Sequence, residues 1–241
     1  MYRRTLVIIP AYNEEQSLPG VLGDLRRRHP GLDVLVVDDG SRDRTAAVAA
    51  AEGAMVATLP FNLGIGGALR TGFRYAVRHG YDRAVQLDGD GQHDPDEIDT
   101  LLLQLDRGAD MVVGSRFADD EATYRAGMVR SGAMSVLRLA LNLLTGHQFT
   151  DTSSGFRAFS RPVLEFFART YPTEYMDSAE ALLLAVYAGF QVVETPVVMH
   201  QRAAGVPSNR NVRLVYHYCR VLLVLLSMTS VRNRVARRQA A

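Results

Sequence analysis

The sequence predicts an α/β domain: a Rossmann-like, mainly parallel sheet with helices on both faces. Three observations carry that expectation. Short β-branched apolar runs alternate with segments whose apolar residues recur at helical spacing, the order that builds βαβ units. The strand-like runs stop at polar or glycine-rich turns, as strand tips along one sheet edge do. Of the 241 residues, 47% are hydrophobic and 22% charged, which is enough for a substantial core.

Residues 5–10 are the first apolar run, and residues 16–28 carry Leu18, Val21, Leu22 and Leu25 at helical spacing. Residues 33–37 (DVLVV) read as the second strand, stopped by Asp38-Asp39-Gly40-Ser41, with Ser41 placed to cap a helix over 45–52. A short third strand is expected over 55–59, then a glycine-rich loop over 62–67 leading into a helix over 68–79. Residues 83–87 form the fourth strand and run into Asp88-Gly89-Asp90. Pro95 then sits in the first turn of a helix over 96–106. A fifth strand is expected over 110–113, closed by Gly114-Ser115-Arg116. Helical periodicity returns over 129–144, followed by a polar loop at 150–154 and Gly155-Phe156-Arg157. A helix over 179–187 is closed by Gly189, and a strand over 191–195 precedes Pro196. Residues 200–211 have no periodicity and read as a loop; residues 212–228 are helical and strongly apolar. The expected division is one catalytic domain over 1–210 and a C-terminal apolar helix with a basic tail over 211–241.

A formal net charge of +1 provides no global field for nucleic acid. The single cysteine, Cys219, excludes an internal disulfide framework and is compatible with a reducing cytosol. No signal peptide is expected, and no apolar run reaches the roughly 18 residues of a standard spanning helix.

The chemistry-bearing residues fall at the strand ends. Asp88 and Asp90, one residue apart after a buried strand, with Gln92 following, are hard oxygen ligands suited to Mg2+ or Mn2+, leaving positions for phosphate and water. Gly89 allows a ligand close to the backbone. In a parallel sheet this site shares an edge with Tyr12, Asp38 and the loop at 62–67. An aromatic ring, carboxylates, small residues and a metal site suit a nucleotide: a base, a ribose and a diphosphate.

The strings VIIPAYNEE (7–15), VVDDGSRDRT (36–45), NLGIGGALRTGF (62–73), VQLDGDGQHDP (85–95) and GSRF (114–117) resemble the family 2 glycosyltransferases. The likeness is strongest to the dolichyl- or polyprenyl-phosphate mannose synthase branch. It continues through DTSSGFRAFSR (151–161) and GFQVVETPV (189–197). It implies a GT-A fold that takes a nucleoside-diphosphate sugar, UDP- or GDP-linked, and inverts the anomeric centre. By position, the resemblance assigns Pro10, Tyr12, Glu14, Val36 and Asp38 to the nucleoside pocket, and Gly67 to nucleotide-sugar binding. It assigns Asp88, Gly89, Asp90 and Gln92 to the diphosphate and metal site. Arg116 and Arg130 resemble arginines that meet acceptor phosphate, and Arg202 an arginine on a loop closing over the donor. In the mannose synthases that loop reads on to Gly-x-Ser-Lys. Here it reads Gly205-Val206-Pro207-Ser208, so Ser208, at the donor loop, replaces the lysine and Arg210 could supply the charge.

Two acceptors follow from the chemistry. A polyprenyl phosphate brings an anionic oxygen, so arginines that orient it suffice. A sugar or small-molecule hydroxyl needs a base, for which Asp151 is the candidate. A non-catalytic nucleotide-sugar-binding subunit is a third reading, against which the intact Asp88-Gly89-Asp90 stands. Residues 214–228 are apolar but interrupted by His217 and Arg220, and Arg232, Arg234, Arg237 and Arg238 follow. Such a helix suits an interfacial anchor at the cytoplasmic face of a membrane. Its alternative is packing on the domain or on a second copy of the chain, as in a homodimer.

Overall fold

The computed structural model describes residues 3–117, 138–172 and 177–200. The elements in chain order are β1 (Thr5–Ala11), α1 (Leu18–Arg28), β2 (Asp33–Asp38), α2 (Thr45–Ala51), β3 (Met55–Thr58), α3 (Ile65–Arg78), β4 (Arg83–Gln86), α4 (Glu97–Asp106) and β5 (Met111–Ser115). They continue with α5 (138–145), β6 (Arg157–Ser160), α6 (Arg161–Thr170), α7 (Asp177–Tyr187) and β7 (Val192–Pro196). The expected boundary at 210, the loop from 201 and the helix of 212–228 lie outside the described residues.

Among the described residues the strands form one sheet in the order β3-β2-β1-β4-β6-β5-β7. β3, β2, β1 and β4 are mutually parallel neighbours, so their four tips share one edge, as expected. β6 runs antiparallel between β4 and β5, and β5 pairs parallel with β7. The strands near the middle are apolar on both sides because both sides are covered. Leu6, Ile8, Leu35 and Val37 face a core shared with Leu69, Phe73, Leu164 and Phe167 of α3 and α6. Val7, Ile9 and Val36 face the opposite core with Leu22 of α1, Ala49 of α2 and Leu101 of α4.

The structure moves several expected boundaries. Gly66 and Gly67 lie inside the first turn of α3 rather than in a loop, which runs only to Gly64. Gly114 and Ser115 belong to β5 rather than closing it. Ser41 does not cap α2. Its hydroxyl oxygen instead accepts the Asn13 N–H at 2.9 Å, while the Asp43 carboxylate takes the Thr45 N–H, also at 2.9 Å. Residues 157–170, where the sequence predicts no element, form β6 and α6. Pro162 opens α6, and Phe167 packs with Phe73 and Tyr171 in an aromatic group that binds α6 to α3.

Candidate active site

The tips of β1 and β2 are tied together before any ligand is considered. After β1 the chain turns through Asn13, whose φ of 56° is uncommon for a residue other than glycine. The Asn13 side-chain oxygen accepts the Arg42 N–H at 2.8 Å, and the Glu14 N–H donates to the Thr45 hydroxyl at 2.8 Å. Glu14 holds the Ser17 hydroxyl at 2.5 Å. These bonds leave Tyr12 41% exposed at the rim, with Phe61 and Leu63 exposed nearby in sequence to α3.

Asp38 is buried, and one of its oxygens accepts the Ser41 N–H at 3.0 Å. Asp39 faces the next loop and accepts the N–H groups of Leu63 and Gly64 at 2.7 and 2.9 Å. Burial pushes the Asp39 pKa up and outweighs those two hydrogen bonds. Gly40, at φ 68°, has room for no side chain: a Cβ would lie 2.6 Å from the Phe61 carbonyl carbon. The Val36 side chain, by contrast, is wholly buried in the core on the side of α1 and α2, and Gly67 sits beneath Leu63.

Asp88 and Asp90 stand just past β4. Asp90 is buried and accepts the Gln92 N–H at 3.0 Å. Asp88 lies against Gly155, where a Cβ would sit 2.6 Å from one carboxylate oxygen and 2.9 Å from the other. Residue 155 must therefore be glycine for Asp88 to keep its position. Gly89 is different: a Cβ there would meet Ile9 and Leu18 at an ordinary 3.5 Å, so the fold itself does not demand a bare α-carbon. His93 is buried, stacks on Phe156 at 4.8 Å, and accepts the Asp88 N–H at Nδ1, which places its proton on Nε2. Burial lowers the His93 pKa against the pull of Asp88 and Asp90 and keeps the ring neutral. The chain after β7 returns to this loop: His93 bridges Met199, and the His200 N–H donates to the Gln92 carbonyl at 2.8 Å.

Among the described residues no three His, Cys, Asp or Glu side chains gather into a metal-binding group. The donor set nonetheless fits magnesium or manganese, which commonly take one or two carboxylates and fill the remaining positions with phosphate and water.

Arg116 and Asp151 come together in one ion pair. Arg116 Nε and Nη2 donate to the two Asp151 oxygens at 2.6 and 2.8 Å, and Nη2 also donates to the Ser153 hydroxyl at 2.8 Å. Glu194 of β7 accepts the N–H groups of Thr150 and Asp151 at 2.7 and 2.9 Å, pinning the loop. Asp151 is 1% exposed. Burial alone would raise its pKa, but the Arg116 hydrogen bonds and charge prevail and hold it below the usual carboxylate range. A carboxylate so buried and paired is a poor proton acceptor. Arg116 is correspondingly anchored rather than held out toward solvent. Arg130, Arg202 and Ser208 lie outside the described residues.

Gly155 and Glu194 have no expected role of their own in the sequence. Gly155 carried a signal, a glycine at a strand entry within a quoted string. Glu194 carried none, because its partners are backbone groups about forty residues away in sequence.

A model of glycosyl transferase family 2 matches residues 6–167. The chain is similar to the polyprenol monophosphomannose synthase of Mycolicibacterium smegmatis, 35% identical over 88% of this chain and 83% of that protein. It is likewise similar to the undecaprenyl-phosphate mannosyltransferase of Micrococcus luteus, 35% identical over 84% and 86%. A third relative, UDP-N-acetylglucosamine–dolichyl-phosphate N-acetylglucosaminyltransferase of Methanococcus voltae, is 30% identical over 79% and 83%. Among solved structures, glucosyl-3-phosphoglycerate synthase from Mycobacterium tuberculosis, in complex with Mn2+, uridine diphosphate and phosphoglyceric acid, shares the fold. Its TM-score is 0.72 at 23% identity, over 93% of this chain and 77% of that one.

Proposed function

The chain belongs to glycosyltransferase family 2 and is a glycosyltransferase of GT-A fold, and from that premise we propose that it moves a sugar from a nucleoside diphosphate to a polyprenyl phosphate with inversion. The observation that carries the choice of acceptor is the Arg116–Asp151 pair. A hydroxyl acceptor must lose a proton, and Asp151, the residue placed to take it, is buried and held ionised by Arg116 at 2.6 and 2.8 Å. A phosphate monoester needs no base, because its oxygen is already an anion near neutral pH. Relatives with 30–35% identity bear names of polyprenyl- or dolichyl-phosphate sugar transferases.

In this reading Tyr12, Glu14 and Asp38 take the nucleoside, with Pro10 and the backbone around Val36 and Gly67 shaping its pocket. Gly89 admits the diphosphate close to the backbone. Asp88 and Asp90, with Gln92, would hold Mg2+ or Mn2+. When bound, such an ion neutralises charge on the leaving diphosphate. Gly155 keeps the Asp88 carboxylate in place, and His93 supports its backbone. An acceptor phosphate oxygen bonds to the anomeric carbon as the bond to the donor diphosphate breaks, and the electron pair leaves on that diphosphate. Arg130 would meet the acceptor phosphate, with Arg116 anchoring that wall, and the loop of Arg202 and Ser208 would cover the donor. Residues 211–241 would bring the chain to the cytoplasmic face of a membrane as a peripheral protein.

The test is a screen of UDP- and GDP-sugars with a short-chain polyprenyl phosphate and Mg2+ or Mn2+, the product identified by mass spectrometry. A glycosyl phosphoprenol is expected, and none in excess chelator. Transfer to sugar hydroxyls with none to prenyl phosphate would overturn the reading.

A further inference from the structure

Arg157 is a buried cation without a hydrogen-bond partner among the described residues. The residue is 0% exposed, and Nε, Nη1 and Nη2 all lack a hydrogen-bond partner among the described residues. A guanidinium cannot shed its charge, so it cannot escape burial by becoming neutral, as a lysine can. Native proteins pair such groups, and an exception calls for a reason, such as strain, a catalytic role or a bound ion or water.

Its position is informative. Arg157 opens β6, opposite Gln86 of β4 and Val113 of β5. Side chains alternate along a strand, so Arg157 shares a face with Phe159, and Gln86 with Ala84, on the side covered by α3 and α6. Gln86 is also buried, and its Oε1 lacks a partner among the described residues. A donor fork and an amide oxygen, both unsatisfied, thus sit in register on neighbouring strands. Two residues toward the strand tips, on the same face, lie Gly155 and Asp88, in contact with each other. On β5 the corresponding step is Ser115, whose hydroxyl lies 2.7 Å from that of Thr150. Arg157 is therefore two residues along the strands beneath the Asp88-Gly89-Asp90 edge.

We infer that Arg157, with Gln86 opposite, forms an anion subsite beneath the Asp88-Gly89-Asp90 edge that takes the phosphoryl group of the acceptor. It rests on the proposed phosphate acceptor and adds a residue to it. The planar fork suits two oxygens of one phosphoryl group, and Gln86 Oε1 can accept from a guanidinium N–H left over. In surroundings closed to water each of these bonds is stronger than at the surface. The site is closed in this structure, so the anion enters on opening.

The experiment compares the full chain with its Arg157→Met and Arg157→Lys variants. Melting temperature is measured with inorganic phosphate and with a short-chain prenyl phosphate. Nucleoside diphosphate binding with Mn2+ and acceptor KM are measured alongside. Arg157→Met should melt no lower than wild type, since it removes an unpaired buried charge. It should bind the nucleoside diphosphate normally, lose stabilisation by prenyl phosphate, and raise acceptor KM by about tenfold or more, the effect of losing one charge-assisted pair. Stabilisation of the wild type by inorganic phosphate as well would assign the site to the bare anion; stabilisation by prenyl phosphate alone would assign it to the lipid headgroup. Wild-type phosphate stabilisation and acceptor KM in Arg157→Met would overturn the inference and leave Arg157 a structural charge. Should that variant fail to fold, Arg157→Lys keeps the charge without the fork. A weaker acceptor defect is expected there, and wild-type acceptor binding would overturn the inference. Arg157-dependent phosphate binding without sugar transfer to prenyl phosphate would refute the proposed function and leave the subsite standing.

Discussion

A methyl group at residue 155 would occupy space held by the Asp88 carboxylate, 2.6 Å from its nearer oxygen. Either Asp88 swings away or the backbone at the head of β6 shifts, and both disturb the centre while leaving the core untouched. Gly155→Ala should therefore fold with a melting temperature near wild type, yet lose about tenfold or more in kcat, as misplacement of a reacting group by about an ångström commonly costs. Metal-dependent nucleotide binding by calorimetry should weaken in parallel; wild-type kinetics would show that Asp88 tolerates displacement. Asp151 acts differently, because its partner is a charge. Asp151→Asn leaves Arg116 buried without its counter-ion and should cost about 3 kcal/mol in denaturant unfolding at neutral pH. The sign of the pH effect follows from the direction of the shift. Arg116 holds the folded Asp151 pKa below its ordinary value, so the carboxylate stabilises the fold above about pH 4 and stops doing so as pH falls through the folded pKa. The stability gap between wild type and Asp151→Asn should shrink with acidification below about pH 4, which urea titrations at several pH values would measure.

At the scale of elements, the edge that carries the site is assembled by loops holding loops. The β2 tip passes under residues 61–62 at Gly40, where φ is 68° and a Cβ would meet backbone at 2.6 Å. Gly40→Ala thus combines a left-handed backbone with a clash that no side-chain rotation relieves. It should lower stability by about 2 kcal/mol or more, with loss of nucleotide affinity because Asp39 just before it holds the start of the α3 loop. A denaturant midpoint equal to wild type would contradict this. The same elements explain what the sequence revealed. β1 to β4 and their helices were legible because each alternates cleanly between apolar runs and turn residues, and the parallel order then placed Asp38 and Asp88 on one edge. β6 was not: it has four residues, begins with a charged one, and its antiparallel insertion between β4 and β5 breaks the βαβ rhythm. Ser41 does not reach the cap of α2 because Arg44 holds the N-cap position and the Asn13 N–H, from a different loop, takes the Ser41 hydroxyl. The pairing of Asp151 is not legible in its polar sequence neighbours, because the arginine that pairs it is 35 residues away.

For the whole molecule, the proposed acceptor raises the question of how a folded domain would meet a long-chain lipid phosphate. Among the described residues no helix is long and apolar enough to cross a membrane. The sequence beyond residue 211 pairs an apolar stretch at 214–228 with Arg232, Arg234, Arg237 and Arg238, a pattern suited to lying in an interface rather than spanning it. Arginines at an anionic surface contribute about 1 kcal/mol each, and the attraction decays over about 8 Å at physiological salt. The full chain should therefore sediment with vesicles containing anionic lipid, bind neutral vesicles less, and come off in part as salt is raised, with the apolar stretch retaining the remainder. Removing 212–241 should abolish vesicle binding. It should lower activity toward a long-chain polyprenyl phosphate in vesicles far more than toward a short water-soluble one, since the chemistry assigned to Asp88, Asp90 and Arg116 resides in the sheet edge. Equal loss toward both acceptors, with a lowered melting temperature, would mean that this segment packs on the domain and that the lipid reaches the site by another face.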